Sequence, residues 1–145
     1  MMPITDLKNS PCAKYVIGVD TGVNTGIAVW SRESRSFDVV TSMMLHRAFD
    51  YVLALHKACV IKVRVEDARK VRYKIDPAKM NGTSSVRRDA KAWEDFLTDN
   101  KIPFEMVRPN KRITKWTAEQ FETRTGYKGR TSSHGRDAAM ICYDS

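Results

Sequence analysis

No apolar stretch in this chain approaches the roughly 20 residues that a bilayer-spanning helix needs, so no such helix is expected. Cysteine is scarce: Cys12, Cys59 and Cys142 are scattered, and no CxxC pair occurs. That rules out a disulfide framework and a thiolate zinc site, and reduced thiols in a cytoplasm are the expectation. There is no internal repeat and no low-complexity tract. The leading MMPITDLKNSPCAK has no apolar h-region and reads as a flexible lead-in over residues 1–14, followed by one domain over 15–145. What is present is ordinary for a globular domain: 145 residues, 42% hydrophobic and 29% charged, enough to enclose a core.

Negative charge is also in short supply. The net charge is +8, and its distribution says more than its size. Residues 69–88 carry Arg69, Lys70, Arg72, Lys74, Lys79, Arg87 and Arg88 against Asp76 alone. Residues 108–136 carry Arg108, Lys111, Arg112, Lys115, Arg124, Lys128, Arg130 and Arg136 against Glu119 and Glu122. Clusters of this kind are the electrostatic footprint of a polyanion binder. A solvated basic surface is the other reading, and composition does not choose between DNA, RNA and an anionic membrane.

Periodicity predicts the elements. Tyr15–Val19 is a continuous apolar run, as in a central strand; Thr21–Asn24 reads as a turn and Gly26–Trp30 as a second strand. Phe37–Ser42 alternates like a half-exposed third strand, and the short connections favour an antiparallel meander. Leu45, Ala48, Phe49, Val52, Leu55 and Cys59 fall at helical spacing over 44–59. VIKVRVE (60–66) returns to alternation, with Ile61, Val63 and Val65 on one face. DARKVRYKIDPAKMNGTSS reads as a long functional loop. Val86, Ala90, Trp93 and Leu97 mark a helix over 85–99, and Ile102–Val107 a short strand. Thr117 with Gln120 fits a capping box for a two-turn helix ending before Gly126. In SSHGRDAAMICYDS the serines can cap a last helix that turns Ala138, Ile141 and Cys142 to one side. The order predicts an α/β domain, a five-stranded mixed sheet flanked by helices.

Three acidic positions stand out. Asp20 ends the first strand, Glu66 ends the fourth, and Asp137 lies in the first turn of the last helix, three residues after His134. Residues at i and i+3 share a helix face, and neighbouring strand ends bring Asp20 close to Glu66. Clustered carboxylates repel one another unless cations intervene, and oxygen-rich shells of this kind suit Mg²⁺. Plainer readings exist for each: Asp20 as a turn former, Glu66 as the start of a polar loop, and His134 and Asp137 as capping or dipole partners.

Together these segments resemble the RuvC-type Holliday-junction resolvases of the ribonuclease H-like superfamily, over roughly residues 15–142 and nearest to compact, phage-encoded members. VIGVDTGVNTGIAVW resembles the first motif, VRVED the second, whose metal-binding Glu is here Glu66, and HGRDAAMI the third, with His134 and Asp137. VRPNKRITKW resembles the family's basic segment. Two departures stand out. VDTG lacks the proline that commonly follows the Asp, and Arg69 stands where many relatives carry an aromatic wedge, the nearest aromatic being Tyr73.

The resemblance implies a ribonuclease H-like fold and a metal-dependent endodeoxyribonuclease, a crossover junction resolvase leaving 5′-phosphate ends. It implies catalytic and metal-binding roles for Asp20, Glu66, His134 and Asp137, with two Mg²⁺ or Mn²⁺ ions per site and Asp20 bridging both. DNA contacts are expected from Arg69, Lys70, Arg72, Tyr73, Lys74, Arg87, Arg88, Lys111, Arg112 and Lys115. The expected partners are branched DNA and a second copy of the chain, with the 85–99 helix as a candidate contact; no membrane and no nucleotide cofactor are expected. Two rivals stay open: a related nuclease on other branched DNA or RNA–DNA hybrids, and a junction-binding protein without catalysis. A nucleotide-binding phosphate loop of the actin-like kind needs two such domains, which 145 residues cannot supply.

Overall fold

The computed structural model describes residues 13–70, 80–109 and 116–145. Five strands and four helices follow in the order β1 (Tyr15–Asp20), β2 (Asn24–Ser31), β3 (Ser36–Met44), α1 (Leu45–Ala58), β4 (Ile61–Glu66), α2 (Met80–Asp99), β5 (Phe104–Val107), α3 (Ala118–Thr125) and α4 (Ser133–Cys142). The sheet order is β3-β2-β1-β4-β5. β1 pairs antiparallel with β2, which pairs antiparallel with β3, so the meander forms as its short turns dictate. On its other side β1 runs parallel to β4, and β4 parallel to β5, each return passing through a helix.

Strand alternation divides the core in two. Ile17 and Val19 of β1, Ile27 and Val29 of β2, and Ile61, Val63 and Val65 of β4 point to one face. There they join Ala48 and Val52 of α1 and Trp93 and Leu97 of α2. Val16, Ala28, Trp30, Phe37 and Val40 point to the other, against Phe121 of α3 and Ala138, Ala139 and Cys142 of α4. β1 is apolar on both faces because helices cover both.

Helix boundaries follow their caps where the sequence supplies them. Thr117 accepts from the Gln120 N–H at 3.2 Å while the Gln120 side chain accepts from the Thr117 N–H at 3.1 Å, and α3 ends at Gly126. Ser132 caps α4 by accepting from the Gly135 N–H at 3.0 Å.

Three expectations need correction. α2 begins at Met80 rather than near residue 85, so residues 80–85, read as loop, are helical. Ile102 is buried but precedes the strand; its N–H closes a turn onto Leu97 O at 2.9 Å. On α4 the buried positions are Gly135, Ala138, Ala139 and Cys142, and Ile141 flanks them, because the i, i+3, i+4, i+7 stripe starts at Gly135. Phe96 of α2 stacks on Phe49 of α1 at 4.4 Å between ring centres. Among the described residues no helix is long and apolar enough to cross a membrane.

Candidate active site

The parity that sorts the core also aims the acidic residues. Asp20 lies two residues beyond Gly18, so it shares the α4 face of the sheet. Glu66 alternates with Val65 and shares that face with Arg64, whose Nη1 donates to Ile141 O of α4 at 3.0 Å. Because β1 and β4 are parallel and Val19 pairs with Val65, Asp20 and Glu66 occupy the next positions of neighbouring strands at the same sheet end. Their backbones there are about 5 Å apart.

Helix α4 reaches that end because two glycines let it lie close. A Cβ at Gly26, directly across from Asp20, would stand 1.9 Å from His134 O, and one at Gly18 would stand 2.1 Å from Ala138 O. No side chain fits in either place. The helix N-terminus therefore rests on β2, and His134 Nδ1 comes within 3.3 Å of Asp20 Oδ2. The Asp20 side chain is 18% exposed and that of His134 is 51% exposed. An ionised carboxylate only accepts, so Nδ1 of His134 is the donor in this contact; in a neutral imidazole that leaves the Nε2 lone pair available. Asp137, one turn further along α4, is half-buried, as is Glu66.

The donor chemistry suits a hard divalent cation: three carboxylates and an imidazole at one edge. Among the described residues, however, no three His, Cys, Asp or Glu side chains stand close enough together to form a ready ligand set. The backbone brings the four to one sheet end, where His134 Nδ1 stands 3.3 Å from Asp20 Oδ2.

The basic candidates divide. Arg69 is held inside the fold. Its Nε and Nη2 donate to Asp67 at 2.8 Å each, and its Nη1 and Nη2 to Glu94 of α2 at 3.4 and 3.2 Å. Burial would raise the Asp67 carboxyl, but the hydrogen bonds and charge of Arg69 outweigh it and hold the carboxyl below the usual range; the same bonds push Arg69 up. Lys70 Nζ donates to Met106 O of β5 at 2.8 Å. Arg87 and Arg88 are exposed on α2. Arg72, Tyr73, Lys74, Lys111, Arg112 and Lys115 lie outside the described residues. Sequence reasoning missed Asp67, Glu94, Gly18 and Gly26. The ED pair at 66–67 was a visible signal for the first, whereas nothing local links Glu94 to Arg69.

The sheet order β3-β2-β1-β4-β5, with helices on both faces, is a RuvC-like fold. Among solved structures the chain is similar to that of T. thermophilus RuvC in complex with Holliday junction substrate. The TM-score is 0.60 over 89% of this chain and 90% of that one, with 17% identity. No family model matches the sequence, and no curated protein matches it.

Proposed function

We propose that this chain is a metal-dependent endodeoxyribonuclease that resolves four-way DNA junctions, a compact resolvase of the kind phages encode. The observation that carries this reading is the aim of Asp20, Glu66 and the His134–Asp137 helix at one sheet end, with Asp20 and His134 already touching. The net charge of +8 and the likeness in fold to a protein solved on a Holliday junction support branched DNA as the substrate.

Asp20, Glu66, His134 and Asp137 would hold Mg²⁺ or Mn²⁺, two ions per site. Divalent ions in such a site lower the pKa of a bound water and offset charge on the leaving oxygen. Asp20 keeps the proton on Nδ1 of His134, so that Nε2 can ligate or orient a water. Arg87, Arg88, Arg72, Lys74, Lys111, Arg112 and Lys115 neutralise phosphates and carry no sequence information. Junction affinity therefore falls steeply with salt. A junction has near two-fold symmetry, and paired cuts require two sites, hence a homodimer.

A second reading stays open: a junction binder without catalysis, which the same basic charge would also serve. One experiment separates the two. Purified protein is incubated with a synthetic immobile four-way junction, with Mg²⁺ or with EDTA, beside Asp20→Asn. Paired symmetrical nicks that need Mg²⁺, and that fall on the order of 10²–10³-fold in Asp20→Asn while binding persists, support the resolvase. Binding without metal-dependent cleavage in the wild type supports the binder, and equal cutting of flaps, forks or RNA–DNA hybrids supports a broader nuclease.

A further inference from the structure

Directly after β4 the two acidic neighbours part. Glu66 shares the α4 face with Arg64, whereas Asp67 is 2% exposed and turns its carboxylate to Arg69. Arg69 gives it three hydrogen bonds: backbone N–H to Oδ1 at 2.9 Å, Nε to Oδ1 at 2.8 Å and Nη2 to Oδ2 at 2.8 Å. The same guanidinium reaches Glu94 on α2 through Nη1 and Nη2. Four of its five N–H groups thus point at two carboxylates. The corner is fixed from β5 as well. Asp67 N–H donates to Val107 O at 2.8 Å, Lys70 N–H donates to Asp67 O at 3.1 Å, and Lys70 Nζ caps Met106 O.

We propose that Asp67, Arg69 and Glu94 form a positioning clamp for Glu66, and that Arg69 serves the site through this clamp rather than by touching a phosphate. The proposal rests on the nuclease reading above. Two carboxylates against one guanidinium leave no net positive charge on the trio to attract a phosphate. The fork that could grip a phosphate bidentately is already closed on Asp67 and Glu94. Only a planar guanidinium can serve both carboxylates in this way; a lysine offers a point charge without the fork. Held against α2 and β5 one residue past Glu66, the corner sets where the Glu66 carboxylate stands relative to Asp20 and His134. Small displacements of this kind are felt strongly at a reacting centre.

The test compares wild type with Arg69→Lys, Arg69→Gln, Asp67→Asn and the partly exposed Glu94→Gln. Three quantities are measured: junction binding in EDTA across a salt series, Mn²⁺ binding by calorimetry, and cleavage in Mg²⁺. Thermal melts confirm which variants are folded, and Glu94→Gln keeps the proposal testable if Asp67→Asn does not fold. The clamp predicts about 10–100-fold weaker Mn²⁺ binding and slower cleavage in the folded variants, with EDTA-phase junction affinity and its salt slope unchanged. Asp67→Asn is the sharpest arm because it removes negative charge. A phosphate-contacting Arg69 would leave its cleavage intact, while Arg69→Gln would weaken junction binding and reduce the salt slope by about one; that pattern overturns the clamp. Wild-type protein that cuts no junction overturns the nuclease reading, and the clamp's role with it. Wild type that cuts, with Asp67→Asn and Glu94→Gln indistinguishable from it, overturns the clamp alone.

Discussion

On one face of the sheet α1 and α2 bring bulk: Trp93 and Leu97 are fully buried, and Phe49 packs edge-on against Trp93 at 4.6 Å. On the other face α4 brings almost nothing, with Ala138, Ala139 and Cys142 laid over Gly18, Ala28 and Gly26. The first face gains stability from the area it removes from water. The second gains closeness, and it is closeness that delivers His134 to Asp20. Burial there also pushes the Cys142 thiol up to about 12, so it stays protonated and behaves as a small apolar wedge. Site geometry thus depends on the α4 face, where Trp30, Phe37 and Phe121 also bury a core of their own, while the face under α1 and α2 contributes stability alone.

Mutations can break this division, the largest effect first. Leu97→Ala on the bulky face should lower unfolding free energy by about 2–5 kcal/mol, measured by denaturant titration, with cleavage per folded molecule unchanged. A matching loss of cleavage in the folded protein would merge the two faces. Gly26→Ala should cost less stability, about 1–3 kcal/mol, yet reduce cleavage about 100-fold, because the new Cβ displaces the helix turn bearing His134. Retained cleavage would show that the close approach is not what sets the site.

The smallest effect is acid sensitivity at the corner after β4. The Asp67 carboxyl is lower in the folded than in the unfolded chain. Its contribution is therefore complete above the ordinary carboxylate range and is lost as pH falls through the folded value. Thermal melts stepped downward from pH 5 should show wild type losing stability faster than Asp67→Asn; parallel curves would remove the ion pair from the balance.

Much of this arrangement was legible in the residues because local physics decides it. The alternation in VIKVRVE fixes the face of Glu66, the Asp-Thr-Gly after an apolar run fixes a strand end, and Thr117 with Gln120 writes a helix start. The start of α2 was hidden, since Met80, Asn81 and Gly82 carry no apolar stripe and Gly82 is a poor helix former. The Arg69–Glu94 pair was hidden differently, because it spans 25 residues and depends on how α2 docks. Arg69 read as a phosphate contact from its charge alone; where that charge points is a tertiary fact. The closeness at Gly26 was equally silent, as a glycine in a strand can mark a bulge, a bend or an approaching backbone.

Side-chain alternation also limits how such a protein can change over generations. Deleting or inserting one residue inside β1 or β4 would swing Asp20 or Glu66 from the α4 side into the greasy layer beneath α1 and α2. Viable length changes in these strands must come in pairs, whereas the turns joining them can drift one residue at a time.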